Sequence, residues 1–175
     1  MAIAQLQLAF MCIFSGIIKP AIPTMDLVIA QHFYQLWLDN NVPENQIDDN
    51  WLDITLKFMQ QARQESKFQT FVAQVETEVD YQEADYKIVG SVSCQLFAGL
   101  YPNIRRDRTY GYIWNVYVAS DYRLQGIATE LTKAAVAYLK SLNCTKALLH
   151  ASPSGQPVYQ SIGFIPSNEM MLDLS

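Results

Sequence analysis

The sequence predicts a single domain of mixed α/β class with a largely antiparallel sheet. Three patterns lead there. Phe68–Glu76 (FQTFVAQVE) and Ile88–Phe97 (IVGSVSCQLF) are strand-like and flank a polar, acidic turn over Val79–Lys87, which makes an antiparallel hairpin. Tyr112–Val118 is a third strand rich in aromatic and β-branched residues, and a helix from Gly126 to about Leu142 follows it after a short loop. Two helical segments precede the hairpin, and no repeat, low-complexity tract or linker divides the 175 residues, a length that suits one substantial core.

The elements can be justified in order. Residues 1–16 form an apolar leader, and Leu8–Ile18 is an apolar run broken only by Ser15 and Gly16. That run is shorter than the ~20 residues a membrane-spanning helix takes. The first basic residue is Lys19, so the basic start of a secretory signal is missing. We expect the leader to extend a first strand over Ile17–Ala21, with Met11 as an alternative start, and the domain to cover residues 17–175. A helix opens after Pro23, capped by Thr24 or Asp26, with Leu27, Ile29, Phe33, Leu36 and Trp37 on one face. A second runs from about Asn50 to Glu65 with Trp51, Ile54, Phe58 and Ala62 inward. Trp37 and Trp51 are expected to pack in the core, with substrate contact as the alternative. Gly90 marks a bulge or a close backbone approach. The long loop Ala98–Tyr110 holds Arg105, Arg106, Asp107 and Arg108, read as a solvated loop tip, with binding of an anionic substrate or a CoA phosphate as the alternative. Lys146–His150 is a short strand, Gln156–Ile162 a short helix, and Phe164–Ile165 and Met170–Leu174 a final antiparallel pair.

Composition narrows the function. Half the residues are apolar, 17% are charged, and the net charge is −5. Such a balance disfavours nucleic acid as the main partner and mildly favours cationic partners such as amines. Cys12, Cys94 and Cys144 are odd in number and widely spaced, and neither they nor His32 and His150 show metal-ligand spacing. We expect reduced thiols, a cytoplasmic location, no metal and no membrane partner.

The chemistry concentrates after the third strand. Arg123, Gly126 and Ala128 stand at the spacing R-x-x-G-x-A, where the loop runs into a helix. Small residues let backbone N–H groups approach a ligand, and a helix N-terminus carries free amides and partial positive charge. The chemical reading is a pyrophosphate cradle. The Lys and Ser/Thr of a Walker loop are absent, and so is the paired glycine of a dinucleotide fingerprint.

Here the chain resembles a known family. Tyr117–Leu131 (YVASDYRLQGIATEL) is similar to the coenzyme A signature of the GNAT superfamily of acyl-CoA N-acyltransferases. Pro157–Phe164 (PVYQSIGF) is similar to that family's second signature, L-Y-x-x-x-G-F, in the right order and with a strand between the two. The resemblance covers roughly Ile17 to the C-terminus. It implies a GNAT-like sheet whose central strands splay to admit acyl-CoA. It also implies acetyl transfer from acetyl-CoA to a small-molecule or peptide amine, and a homodimer, an assembly common in the family. The main chain of Val116, Tyr117 and Val118 would pair with the pantetheine arm. Arg123 and the loop amides of Leu124, Gln125, Gly126, Ile127, Ala128 and Thr129 would hold the pyrophosphate. Leu124 stands where the family usually has Gly or Arg, and Ala128 where it often has Gly; backbone donors survive both changes. Ser152 matches a position that often bonds the cofactor. Tyr159 matches the family tyrosine that protonates the departing thiolate, and a phenol of pKa near 10 is protonated at neutral pH.

No general base is visible. Neither Tyr112–Val118 nor Lys146–Leu149 contains a carboxylate. His150 has a suitable intrinsic pKa but is read as structural. Cys94 has no His and acid beside it in sequence, so direct transfer is expected over an acyl-enzyme. Two other functions stay open: a non-catalytic acyl-CoA sensor on the same fold, and an interaction module using the leader and the tryptophans.

Overall fold

The structure, a computed structural model, describes residues 14–77, 85–97, 108–168, 170 and 172. The leader to residue 13, the centre of the hairpin turn, Arg105, Arg106, Asp107 and most of the expected last strand lie outside the described residues. The elements are β1 (Ile17–Pro20), α1 (Asp26–Asp39), α2 (Trp51–Glu65), β2 (Gln69–Thr77), β3 (Asp85–Phe97), β4 (Tyr110–Val118), α3 (Ile127–Ser141), β5 (Lys146–Leu148) and α4 (Gln156–Ile162). The five strands lie in chain order in one sheet. Their first three pairings are antiparallel. The last, β4 with β5, is parallel and runs through α3, as a parallel pairing needs a crossover.

Alternation along the strands divides the core. Phe68 and Val72 pack with Ile29 and Phe33 of α1 and with Met59 and Ala62 of α2. The next residue, Ala73, faces the other way and packs with Ile127, Leu131, Ala135 and Leu139, which recur every four residues along α3. The α3 side is aliphatic. The α1–α2 side also carries buried polar pairs: Thr70 Oγ1 lies 2.9 Å from Ser93 Oγ, and His32 Nδ1 lies 2.9 Å from Ser91 Oγ.

Burial pulls the pKa of His32 down to about 4. The folded protein keeps it neutral, whereas the unfolded chain binds a proton below about pH 6.5. Its contribution is therefore complete above pH 6.5 and is lost as pH falls toward 4. Denaturant titrations should show ~2 kcal/mol less stability at pH 4.5 than at pH 7, a loss that His32→Asn lacks.

Two expectations are corrected. Neither Thr24 nor Asp26 caps α1, whose N-terminus has no side-chain cap. Asp26 lies in the first turn and makes a two-armed ion pair with Arg63 in the last turn of α2, one arm at 2.7 Å, tying the two helices together. Phe164 and Ile165 are not a strand. Gly163 takes a left-handed φ of 104°, and the Phe164 N–H donates to the Tyr159 carbonyl at 3.1 Å. With the Gly163 N–H on the Gln160 carbonyl at 3.0 Å, this is a Schellman stop. The amide that a strand would use is already taken by the end of α4.

Candidate acyl-CoA site

β4 and β5 pair at only three positions, ending at Tyr112 with Leu148. Beyond that, among the described residues, 113–118 have no strand partner on the β5 side. The strands part and leave a backbone edge facing a gap. On its other side β4 bulges. Ser91 pairs with Tyr117 and Ser93 with Trp114, so Val92 alone opposes Asn115 and Val116. Asn115 takes the extra turn with φ of 52°. Gly90, beside a second register shift, comes so close to β4 that an added Cβ would lie 2.8 Å from the Tyr117 carbonyl.

The gap leads to the R-x-x-G-x-A loop. After β4, the Ala119 N–H bonds the Val89 carbonyl at 2.9 Å, and Ser120–Tyr122 makes one 3-10 turn. Gly126, at φ of 82°, then starts α3 with no side-chain cap. A Cβ placed on Gly126 would meet nothing within 4 Å, so the space before the helix is open. Uncapped first-turn amides facing open space suit an anion. Arg123 acts differently from the rest of the motif. Its Nε donates to the Val118 carbonyl at 2.9 Å, and one Nη donates to Asp39 at 2.5 Å. The guanidinium braces the loop between the end of β4 and the end of α1.

Leu124 is held at φ of 63° with its side chain 97% exposed. A left-handed leucine costs roughly 1–2 kcal/mol and no burial offsets it. Leu124→Gly should therefore raise stability by about 0.5–1 kcal/mol after the entropy of glycine is counted, read as a higher Tm.

The second group of site residues lies on the other arm. Ser152 precedes α4, where its Oγ accepts from the Gly155 N–H at 3.2 Å and so orders the turn into that helix. Tyr159 packs its ring against Phe164, 6.1 Å between centroids, and lines a cavity with Leu149 and Ala151 just past β5. Burial raises its pKa, so it stays protonated at neutral pH. His150, between those two, lines a different cavity, formed by α1, α2 and β4. Residues 116–118 end β4, and residues 123–129 form the loop and first turn of α3 that follow it after the 3-10 turn. Ser152 and Tyr159 lie past β5, before and on α4, and the cavity that Tyr159 lines shares no residue with the one that holds His150.

Four functional candidates were missed in the sequence. Tyr112 donates to or accepts from His150 Nδ1 at 2.7 Å, and both line the α1–α2–β4 cavity with Trp114 and Asn115. The Asn115 Nδ2 is buried without a hydrogen-bond partner. Asp39 holds Arg123 across 84 positions of sequence. Only Tyr112 and Trp114 had a signal: alternation in β4 puts them on one face. Trp37 and Trp51 are not core residues alone; both line this cavity, and Trp37 is 50% exposed. Burial pushes the Cys94 thiol up to about 12, so it is a thiol and not a thiolate at neutral pH.

Among the described residues no three His, Cys, Asp or Glu side chains group to hold a metal ion, and no helix is long and apolar enough to cross a membrane. No curated protein matches the sequence. Solved structures match it with one shared fold. A predicted acetyltransferase from Clostridium acetobutylicum, solved with acetyl-CoA, is 22% identical with a TM-score of 0.71, over 91% of this chain and 96% of that one. A GCN5-related N-acetyltransferase from Ralstonia eutropha JMP134 is 20% identical with a TM-score of 0.71, over 91% and 99%. The aminoglycoside N-acetyltransferase AAC(6')-Iy, in complex with the bisubstrate analogue CoA-S-monomethyl-acetylneamine, is 17% identical with a TM-score of 0.62, over 91% and 97%. The family model for the acetyltransferase (GNAT) family matches residues 30–164, and with the five-stranded sheet and the loop before α3 this means that the chain belongs to the GNAT acetyltransferase family.

Proposed function

We propose that this protein transfers the acetyl group of acetyl-CoA to a primary amine. One observation carries the reading: β4, with no ladder partner on the β5 side beyond Tyr112, leads through a single 3-10 turn to the uncapped N-terminus of α3. An extended amide-bearing arm fits the edge, and a pyrophosphate fits the helix start. The main chain of Val116, Tyr117 and Val118 would pair with the pantetheine, and the amides from Leu124 to Thr129 would hold the phosphates. Arg123 is a brace in this reading and contributes by fixing the loop.

The neutral amine enters from the α1–α2–β4 cavity, and its nitrogen attacks the thioester carbon. The C–N bond forms, the C–S bond breaks, nitrogen loses one proton and sulfur gains one. Asn115 Nδ2, buried and unpartnered at the bulge, is the side-chain donor we assign to the carbonyl oxygen as it becomes anionic. Tyr159 donates to the departing sulfur. The Tyr112–His150 pair lies where it can take the amine proton. Cys94, fully buried and held as a thiol, has no part.

Calorimetric titration with acetyl-CoA and CoA tests the reading first, and amine-dependent release of CoA thiol tests the transfer. Micromolar binding is expected from both ligands. A folded protein that binds neither is not an acyl-CoA enzyme. Binding without thiol release across a broad amine panel would favour the sensor.

A further inference from the structure

The cavity between α1, α2 and β4 has a volume of about 280 Å³. Six aromatic side chains line it: Phe33, Tyr34, Trp37, Trp51, Tyr112 and Trp114. Among its described lining residues there is no Asp, Glu, Lys or Arg. Its walls are held in place from behind. Tyr34 stacks on Trp51 at 4.6 Å, Trp114 packs on Phe33 at 4.9 Å and edge-on to Phe58 at 5.4 Å, and Thr55 Oγ1 donates to the Trp51 carbonyl at 2.7 Å.

What the described lining offers is mainly aromatic surface. Aromatic walls accept an apolar ring by edge and face contacts. They also hold an arriving ammonium by cation–π attraction. A dry cavity of ~150 Å³ holds one benzene ring, so this one has room for a ring and a short arm.

Resting on the transferase reading, we propose that the acceptor is a primary monoamine bearing one compact apolar or aromatic ring on a short alkyl arm, its ring held among Trp37, Trp51 and Trp114. The amine points toward Tyr112, His150 and Asn115, the polar end of the cavity. This acceptor differs in kind from the neamine scaffold held by the aminoglycoside enzyme that shares the fold.

The test uses the full chain and three measurements. Calorimetry with acetyl-CoA bears on the transferase reading alone. CoA-thiol release is then followed with 2-phenylethylamine, spermidine, neamine and lysine. We expect kcat/KM for 2-phenylethylamine to exceed each of the others at least 10-fold. Trp37→Ala, a truncation of a half-exposed ring, should raise its KM about 10-fold and leave the Kd of acetyl-CoA unchanged; Trp51→Leu should do the same from the opposite wall. If acetyl-CoA binds but a polyamine, aminoglycoside or lysine is preferred, or both variants keep the parent KM, the acceptor assignment is overturned and the transferase reading stands. Where turnover is absent altogether, direct calorimetry with 2-phenylethylamine decides. Saturable binding lost in Trp37→Ala keeps the aryl-amine site, and no binding removes it.

Discussion

Gly126→Asp should weaken acetyl-CoA binding at least 100-fold. Gly126 sits at the start of α3 with open space before it, so an aspartate side chain would project into the place assigned to the pyrophosphate. Like charges about 4 Å apart at an effective dielectric of about 20 repel by about 4 kcal/mol. Each 1.4 kcal/mol is roughly tenfold in affinity, so 100-fold remains after generous screening. Gly126→Ala is the control. It adds no charge, and its Cβ meets nothing within 4 Å, but alanine at φ of 82° costs roughly 1 kcal/mol of stability. Calorimetry should therefore find less than a 10-fold change in Kd for the alanine variant with a lowered Tm. If both variants bind like the parent, the helix N-terminus is not the phosphate site.

Tyr159→Phe should lower kcat about 100-fold and leave the Kd of acetyl-CoA within a factor of two or so, the mark of a group that acts on the leaving sulfur. Packing should survive, because Phe keeps the ring that meets Phe164. The pH profile gives a second readout. Burial raises the Tyr159 pKa above its ordinary value of 10. A proton donor is active below its pKa, so the alkaline fall in kcat due to this group should come above pH 10, later than for a solvated phenol. A kcat unchanged by the substitution would leave the thiolate to be protonated by solvent.

The parts of the site readable in the sequence were those fixed by local backbone. Gly126 announces itself because few other residues accept a left-handed φ at a helix start. The Tyr112–Val118 strand and the α4 segment follow from β-branched, aromatic and capping residues close in sequence. The α1–α2–β4 cavity was readable only in part, through Trp37 and Trp51 as possible substrate contacts. It joins Phe33 and Trp37 on α1, Trp51 on α2, Trp114 on β4 and His150 beyond β5, and only folding brings them together. On a helical wheel Trp37 and Trp51 look like core residues; a cavity wall and a core carry the same pattern. The brace from Arg123 to Asp39 is invisible for the same reason. Phe164 and Ile165 failed differently. Two apolar residues after a helix look like a strand start, but Gly163 already commits their backbone to the helix stop.

The shortness of the β4–β5 ladder has a consequence beyond binding. Among the described residues, Tyr110–Lys146, Gly111–Ala147 and Tyr112–Leu148 are the ladder pairs that join β5 to the rest of the sheet. A molecule lying along the gap and touching both arms would stand in for the missing rungs, and it would do so only in the native state. At a hundredfold excess over its dissociation constant, such a molecule adds about 2.7 kcal/mol to stability by mass action. That is a large share of what a domain of this size has to lose. The supply of cosubstrate would then set how long each copy of the protein survives as well as how fast it turns over.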